Sequence, residues 1–350
     1  MNFIFETNYA VFSIFAALLL SEVISSVVLL LFYDAAKSKV LDYVVPIWEV
    51  TGTFGAFWVV TGDMAYPTLL IPVATIFGAL ITVFLILFVA RNTTIVFGEF
   101  IIKRKWLDEK KLYQGYAVST LLLGIVVLIL LSALVSGAGV LSNPSPLSDT
   151  FNLGAWASKA GSWLFLIGTL LIGIGVAPIF FDVRAFAKRF IPLAVVGVVV
   201  SVGAYYSYSS AFMTSYMTVP AVLTVMVALL YLWKRTAPIV TNKAIFIAVL
   251  SIIIFSLQPL IYPKFVGQAL SIDSFTTTGP MVNVFYETTA VGSVLLAVML
   301  LIYIWIAFRQ KHPVAETSSK TAPPPSAAPP DRKVTPPPPV HQTSDALGNP

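Results

Sequence analysis

The chain has no cysteine and only two histidines, and charged residues make up 11% of its 350 positions. Without cysteine there is no disulfide, no thiolate metal site and no iron–sulfur cluster. The histidines, His312 and His341, both follow the last long apolar run, so no imidazole is available within the apolar part. Membrane haems of the b type are held through axial histidine, and a haem held by methionine alone would be unusual. Also missing are a Walker motif, a glycine-rich dinucleotide fingerprint and a nucleophile elbow. The chain alone is therefore expected to bind no cofactor and to contain no catalytic centre.

What the chain has is apolar length. Soluble domains average about 25% charged residues; here 58% of residues are hydrophobic and the mean hydropathy is +0.89. An all-α polytopic membrane protein is predicted. A span needs roughly 20 mostly apolar residues, and nine such runs are present, at 9–33, 45–62, 67–90, 115–140, 156–181, 190–211, 217–233, 244–262 and 284–308. Unbroken apolar runs fit helices and not the alternating strands of a barrel. Met1–Asn8 has no basic residue and carries Glu6, unlike a cleavable signal, so the first span is expected to be retained.

The net charge of +5 is explained by placement and not by nucleic acid. Lys37 and Lys39 follow span 1, and Arg91, Lys103, Arg104, Lys105, Lys110 and Lys111 follow span 3. Arg184, Lys188 and Arg189 follow span 5, and Lys234, Arg235 and Lys243 follow span 7. With those after span 9, nineteen of the 21 basic residues fall in alternate connections, leaving Lys159 and Lys264 for the opposite side. The positive-inside rule then puts the N-terminus outside and the C-terminus in the cytoplasm, in the cell membrane. Residues 1–312 form the predicted nine-helix transmembrane domain, and 313–350 a Pro-rich, disordered cytoplasmic tail. Spans 1–4 and 5–8 are compatible with two similar four-helix units plus one, although no residue repeat is visible.

Two acids interrupt the apolar runs. Intramembrane carboxylates are expensive to keep and mark functional sites by default. Glu22 lies in mid-span, with Ser25 and Ser26 at i+3 and i+4 on its own helix face. Their hydroxyls would solvate a protonated acid or hold a water chain, and no Lys or Arg within the spans is expected to pair with Glu22. The alternative is an acid that joins two helices through a hydrogen bond. Glu49 follows Pro46 and Trp48, and proline suits a first helical turn. Glu49 is thus placed within one turn of the helix start. It is then either the mouth of a cytoplasmic proton path or an acid stabilised by the helix dipole. Asp63 and Glu287 are read as solvated outer caps and Lys159 as a snorkelling cation. Trp156, Trp163, Trp233 and Trp305 are read as interfacial aromatics.

Several short motifs resemble subunit II of cytochrome bd-type quinol oxidases. They are Val45-Pro46-Ile47-Trp48-Glu49, then Tyr66-Pro67 opening the third span, and Phe97-Gly98-Glu99-Phe100 in the basic stretch after it. Leu260-Ile261-Tyr262-Pro263, Ser271-Ile272-Asp273 and Thr276-Thr277-Thr278 resemble the stretch before that family's last span. There are departures. The family's Asp-Gly-Phe-Asp is here Glu22-Val23-Ile24-Ser25, the polar residues after its Trp-Asp are Val50-Thr51-Gly52, and its His-Gly is Ala177-Pro178. A divergent member, such as an archaeal one, fits these departures.

The resemblance implies a haem-free subunit in a heterodimer with a haem-bearing subunit I. Haems of b and d type would lie in that partner, and the complex would belong to the respiratory electron-transport chain, oxidising quinol and reducing oxygen. A structural quinone or a membrane lipid between helices is compatible with it. It also implies that Glu49 lies on a cytoplasmic proton route, with Glu22 matching the first acid of span 1. Two other classes compete. A proton-coupled secondary transporter would use Glu22, with Gly168, Gly173, Gly175 and Gln258-Pro259 as helix breaks. A purely structural subunit would use its acids as helix glue.

Overall fold

The computed structural model describes residues 3–100, 108–141, 150–208, 242–257, 262, 264–266 and 270–309. Among these, the chain is built of helices: α1 (Phe3–Leu31), α2 (Tyr33–Ala65), α3 (Leu70–Phe100), α4 (Glu109–Ser136), the short α5 (Leu153–Ala157), α6 (Ala160–Phe180), α7 (Arg184–Tyr208), α8 (Lys243–Ser256) and α9 (Pro280–Arg309). Six of them, α1–α4, α6 and α9, are long and apolar enough to cross a bilayer. Shorter apolar helices cover 189–204 and 243–256. The chain is thus an all-α, multi-pass membrane protein. The predicted span 217–233, the Pro-rich tail and Gln258-Pro259 lie outside the described residues. Residues 304–350 form a unit of their own, of which only the backbone of the last turns of α9 is described.

α1 is the hub. It packs against α2, α4, α6 and α8 and is the most buried of the six long helices. It is apolar on every side, as suits a helix with neighbours all round. α3 and α9 are the most exposed, and their outward Leu85, Ile86, Val89, Val291, Val294 and Leu295 suit a hydrocarbon environment. The ends match the predicted alternation of loops. At one end Lys37 pairs with Glu109 at 2.7 Å and Lys110 with Asp34 at 3.1 Å, joining the connections after α1 and α3. The Lys39 ammonium donates to the Asp182 carbonyl, and the Lys243 ammonium lies 3.9 Å from the Phe180 ring centroid. Four basic connections therefore gather on one side.

The opposite end carries two small hairpins. β1 (Val140–Leu141) pairs with β2 (Thr150–Phe151), and β3 (Lys264–Phe265) with β4 (Leu270–Ser271), both antiparallel. The Val266 N–H donates to the Leu134 carbonyl, and the Thr277 N–H to that of Ala65. Trp156, read from sequence as interfacial, is instead a core residue: it is buried, and its indole donates to the Ser132 hydroxyl at 2.7 Å. Trp163 is exposed, as are Asp63, Lys159 and Glu287.

α6 is one continuous helix, so Gly168, Gly173 and Gly175 do not break it. Two of them allow close packing on α7. A Cβ at Gly175 would collide with the Ala194 backbone, and one at Gly168 with Ser201 and the Gly197 carbonyl; Gly173 has open space. Small residues at a membrane helix interface let backbones approach and gain dispersion contacts. Replacing Gly175 by Ala should cost about 1–3 kcal/mol through overpacking, read as a lowered melting temperature in detergent. Gly173→Ala should leave that temperature unchanged.

Candidate functional site

Glu22 lies roughly 13 Å from the Leu31 end of α1 at a rise of 1.5 Å per residue. It is fully buried, and it is not the lone acid expected from sequence. The Arg91 guanidinium of α3, also fully buried, donates to Glu22 Oε2 through Nη2 and forms an ion pair. The Tyr116 hydroxyl of α4 donates to the same oxygen at 2.9 Å. Three helices thus converge on one carboxylate. The sequence places Arg91 in the connection after span 3, but α3 continues past it to Phe100. Thr94 steadies that extension by donating to the carbonyls of Ala90 and Arg91.

The serines have a different task from the one expected. Ser25 Oγ donates to the Ser21 carbonyl at 2.7 Å and Ser26 Oγ to the Glu22 carbonyl at 2.9 Å. These are hydroxyls satisfied on their own helix backbone, a frequent arrangement in apolar helices. Ser21 instead receives the Tyr43 hydroxyl at 2.6 Å, which ties α1 to α2 just beside the ion pair.

Glu49 is placed differently from the sequence reading too. Pro46 is not in a first turn: α2 starts at Tyr33 and carries Pro46 inside it. Glu49 therefore lies roughly 24 Å along the axis from Tyr33. Transmembrane helices tolerate an interior proline because neighbours re-satisfy the freed backbone groups. Glu49 is exposed, and it lines an open groove of 520 Å³ between α2 and α3. α2 supplies Trp48, Glu49, Gly52, Thr53 and Ala56, and α3 supplies Phe88 and Asn92. Among the other motif residues, Tyr66 caps α2, is buried, and has its phenol pushed up first by burial and then by Asp273 and Tyr262. Pro67 lies in the turn before α3. Glu99 lies inside α3 and accepts the Tyr113 hydroxyl.

Glu22 and Glu49 are therefore on different helices and in different settings, one sealed and paired, the other open. The residues missed from sequence are Arg91, Tyr116, Phe88 and Asn92. A signal for Arg91 was present: after Asn92, Thr93 and Thr94 apolar residues resume at Ile95, Val96 and Phe97, one turn on, as in a helix that continues. Tyr116 carried no signal beyond its place in an apolar run. Among the described residues, no three of His, Cys, Asp and Glu come together as a metal-binding set.

The ion pair has a measurable role whatever the chain does. Removing one member of a buried pair leaves an uncompensated charge and costs about 3–5 kcal/mol. Arg91→Gln should lower thermal stability by an amount of that order, and Glu22→Gln combined with Arg91→Gln should recover most of it. A double-mutant cycle on melting temperatures measures this coupling.

No family model matches the sequence, and no curated protein is detectably similar to it in sequence. The fold does have a counterpart. A chain in the structure of bd oxidase from Geobacillus thermodenitrificans superposes with a TM-score of 0.66 over 87% of this chain and 98% of that chain, at 15% identity. The chain has a bd-oxidase-like fold.

Proposed function

We propose that the chain is a haem-free subunit, of the subunit II type, in a bd-type quinol:oxygen oxidoreductase of the cell membrane. In this reading it stabilises a haem-bearing subunit I and carries protons from the cytoplasmic side toward it. The observation that carries the reading is the bd-oxidase-like fold together with Glu49 exposed in a groove at membrane depth. An exposed carboxylate on an apolar helix is costly against lipid, which favours a face bordered by water or by a partner subunit. The short motifs around Pro46, Trp48, Tyr66 and Pro67 point to the same class.

In this scheme Glu49 takes a proton from water in the groove and releases it toward the partner subunit. Haems of b and d type, held by the partner, would supply the oxygen-reducing centre, with quinol oxidised by the complex. Trp48, Thr53 and Phe88 border the groove beside the carboxylate, and the Thr53 hydroxyl is satisfied by the Glu49 backbone carbonyl at 2.9 Å. Glu22, locked to Arg91 and Tyr116, holds α1, α3 and α4 in register behind the groove.

The transporter reading asks Glu22 to exchange protons freely and α6 to be broken. Its ion pair and the continuity of α6 favour the oxidase reading. Loss of a positioned acid–base group commonly costs about 10²-fold or more. Glu49→Gln in the purified complex should therefore slow oxygen consumption by about tenfold or more, with haem content unchanged. Unchanged turnover would sink the proton-entry role.

A further inference from the structure

The paired carboxylate and guanidinium leave three polar atoms without partners in a fully buried place: Glu22 Oε1, and Arg91 Nε and Nη1. Asn92 Oδ1, one residue along α3, is buried and unpartnered as well. Leaving such atoms bare is unfavourable, the more so when they are charged. Two neighbours define a boundary. The Arg91 guanidinium carbon lies 5.5 Å from the centroid of the Phe88 ring and 5.9 Å from that of Tyr116. Phe88 and Asn92 are also the two α3 residues that line the Glu49 groove. The Phe88 ring thus has the guanidinium near it and also borders the groove, and Asn92 lies about 100° round the helix from Arg91.

We infer that ordered water occupies the buried site beside Arg91 and Glu22 and runs past Phe88 and Asn92 into the groove, making Asn92 a positioning residue for proton uptake by Glu49. The chemistry of the open atoms sets the orientation. Arg91 Nε–H and Nη1–H donate from different edges of the guanidinium, so a water there accepts from one of them and turns a proton to Glu22 Oε1. A second water, donating to Asn92 Oδ1, continues the chain to the groove. Water with two to four polar partners is a stable buried group. The guanidinium keeps its proton throughout, so it orients the chain without being a carrier. Phe88 supplies the apolar wall that limits the connection to a narrow file.

The role assigned to Asn92 rests on the proton-entry reading of Glu49; the water site does not. The first measurement is a structure of the full chain in its purified complex at a resolution that shows water. Density within hydrogen-bonding distance of Arg91 Nη1 or Nε and of Glu22 Oε1 is expected, and a dry site overturns the inference. The second is proton uptake, followed with a pH-indicating dye in Asn92→Leu and Asn92→Asp complexes. The leucine variant should be slowed about tenfold with haem content and melting temperature unchanged, and the aspartate variant should restore most of the rate. If Asn92→Leu does not assemble, Asn92→Ala removes the same oxygen. Wild-type uptake without that oxygen, beside a slow Glu49→Gln, overturns the role of Asn92 and leaves that of Glu49. Wild-type uptake in Glu49→Gln overturns the proton-entry reading and with it the role of Asn92, while the water density still decides the site.

Discussion

The Glu22 carboxylate and the Arg91 guanidinium, both withdrawn from solvent, fix how three helices meet. Buried ion pairs are poor sources of net stability, because desolvating two charges offsets most of their attraction. Their effect is on alternatives. A one-residue shift rotates a helix face by about 100°, and such a shift of α1, α3 or α4 would leave a bare charge in an apolar interior. Tyr116 adds a second donor to the same oxygen, so α4 is held by the same condition. The helices are otherwise apolar nearly all round, and dispersion alone discriminates weakly between rotations. A single expensive contact therefore supplies much of the specificity of the bundle.

The remaining packing can be read outward from that contact. α1 carries Glu22 and touches α2, α4, α6 and α8. Tyr43 on α2 reaches Ser21 beside the pair, while Asn8 donates to Thr61 at 3.1 Å nearer the other end. α6 and α7 meet through Gly168, Gly175 and Gly197, and among the described residues no comparable polar anchor joins them, so this contact is specified by shape. α3 has two characters around its axis. Its Arg91 is sealed, yet Phe88 and Asn92 on either side of it in sequence line an open groove with Glu49. The chain thus sets one acid for architecture and leaves the other accessible.

Much of the fold was legible in the sequence because hydropathy and basic loops obey strong physical constraints. Eight of the nine apolar runs fall on helices, and the basic connections that can be described gather at one end, as the alternation required. The short motifs pointed to the fold class that the superposition then showed. Two placements depart from the linear pattern for one reason: neither charge nor proline marks a helix boundary here. The pattern puts Arg91 in a loop, although α3 carries it inward to a partner that only tertiary structure reveals. It puts a helix start at Pro46 and so Glu49 near an end, whereas Glu49 lies well inside α2. Neither Tyr116 nor the groove is visible in a linear pattern, since both arise from the approach of helices far apart in sequence.

In the function proposed, this chain works beside a haem-bearing subunit and binds no haem itself. The direct measurement is a reduced-minus-oxidised visible spectrum of the chain purified from its native membrane through a C-terminal tag, with the subunits identified. Haem bands should travel with a second, histidine-containing membrane chain and vanish when that chain is stripped away. A colourless, monodisperse single chain would contradict it.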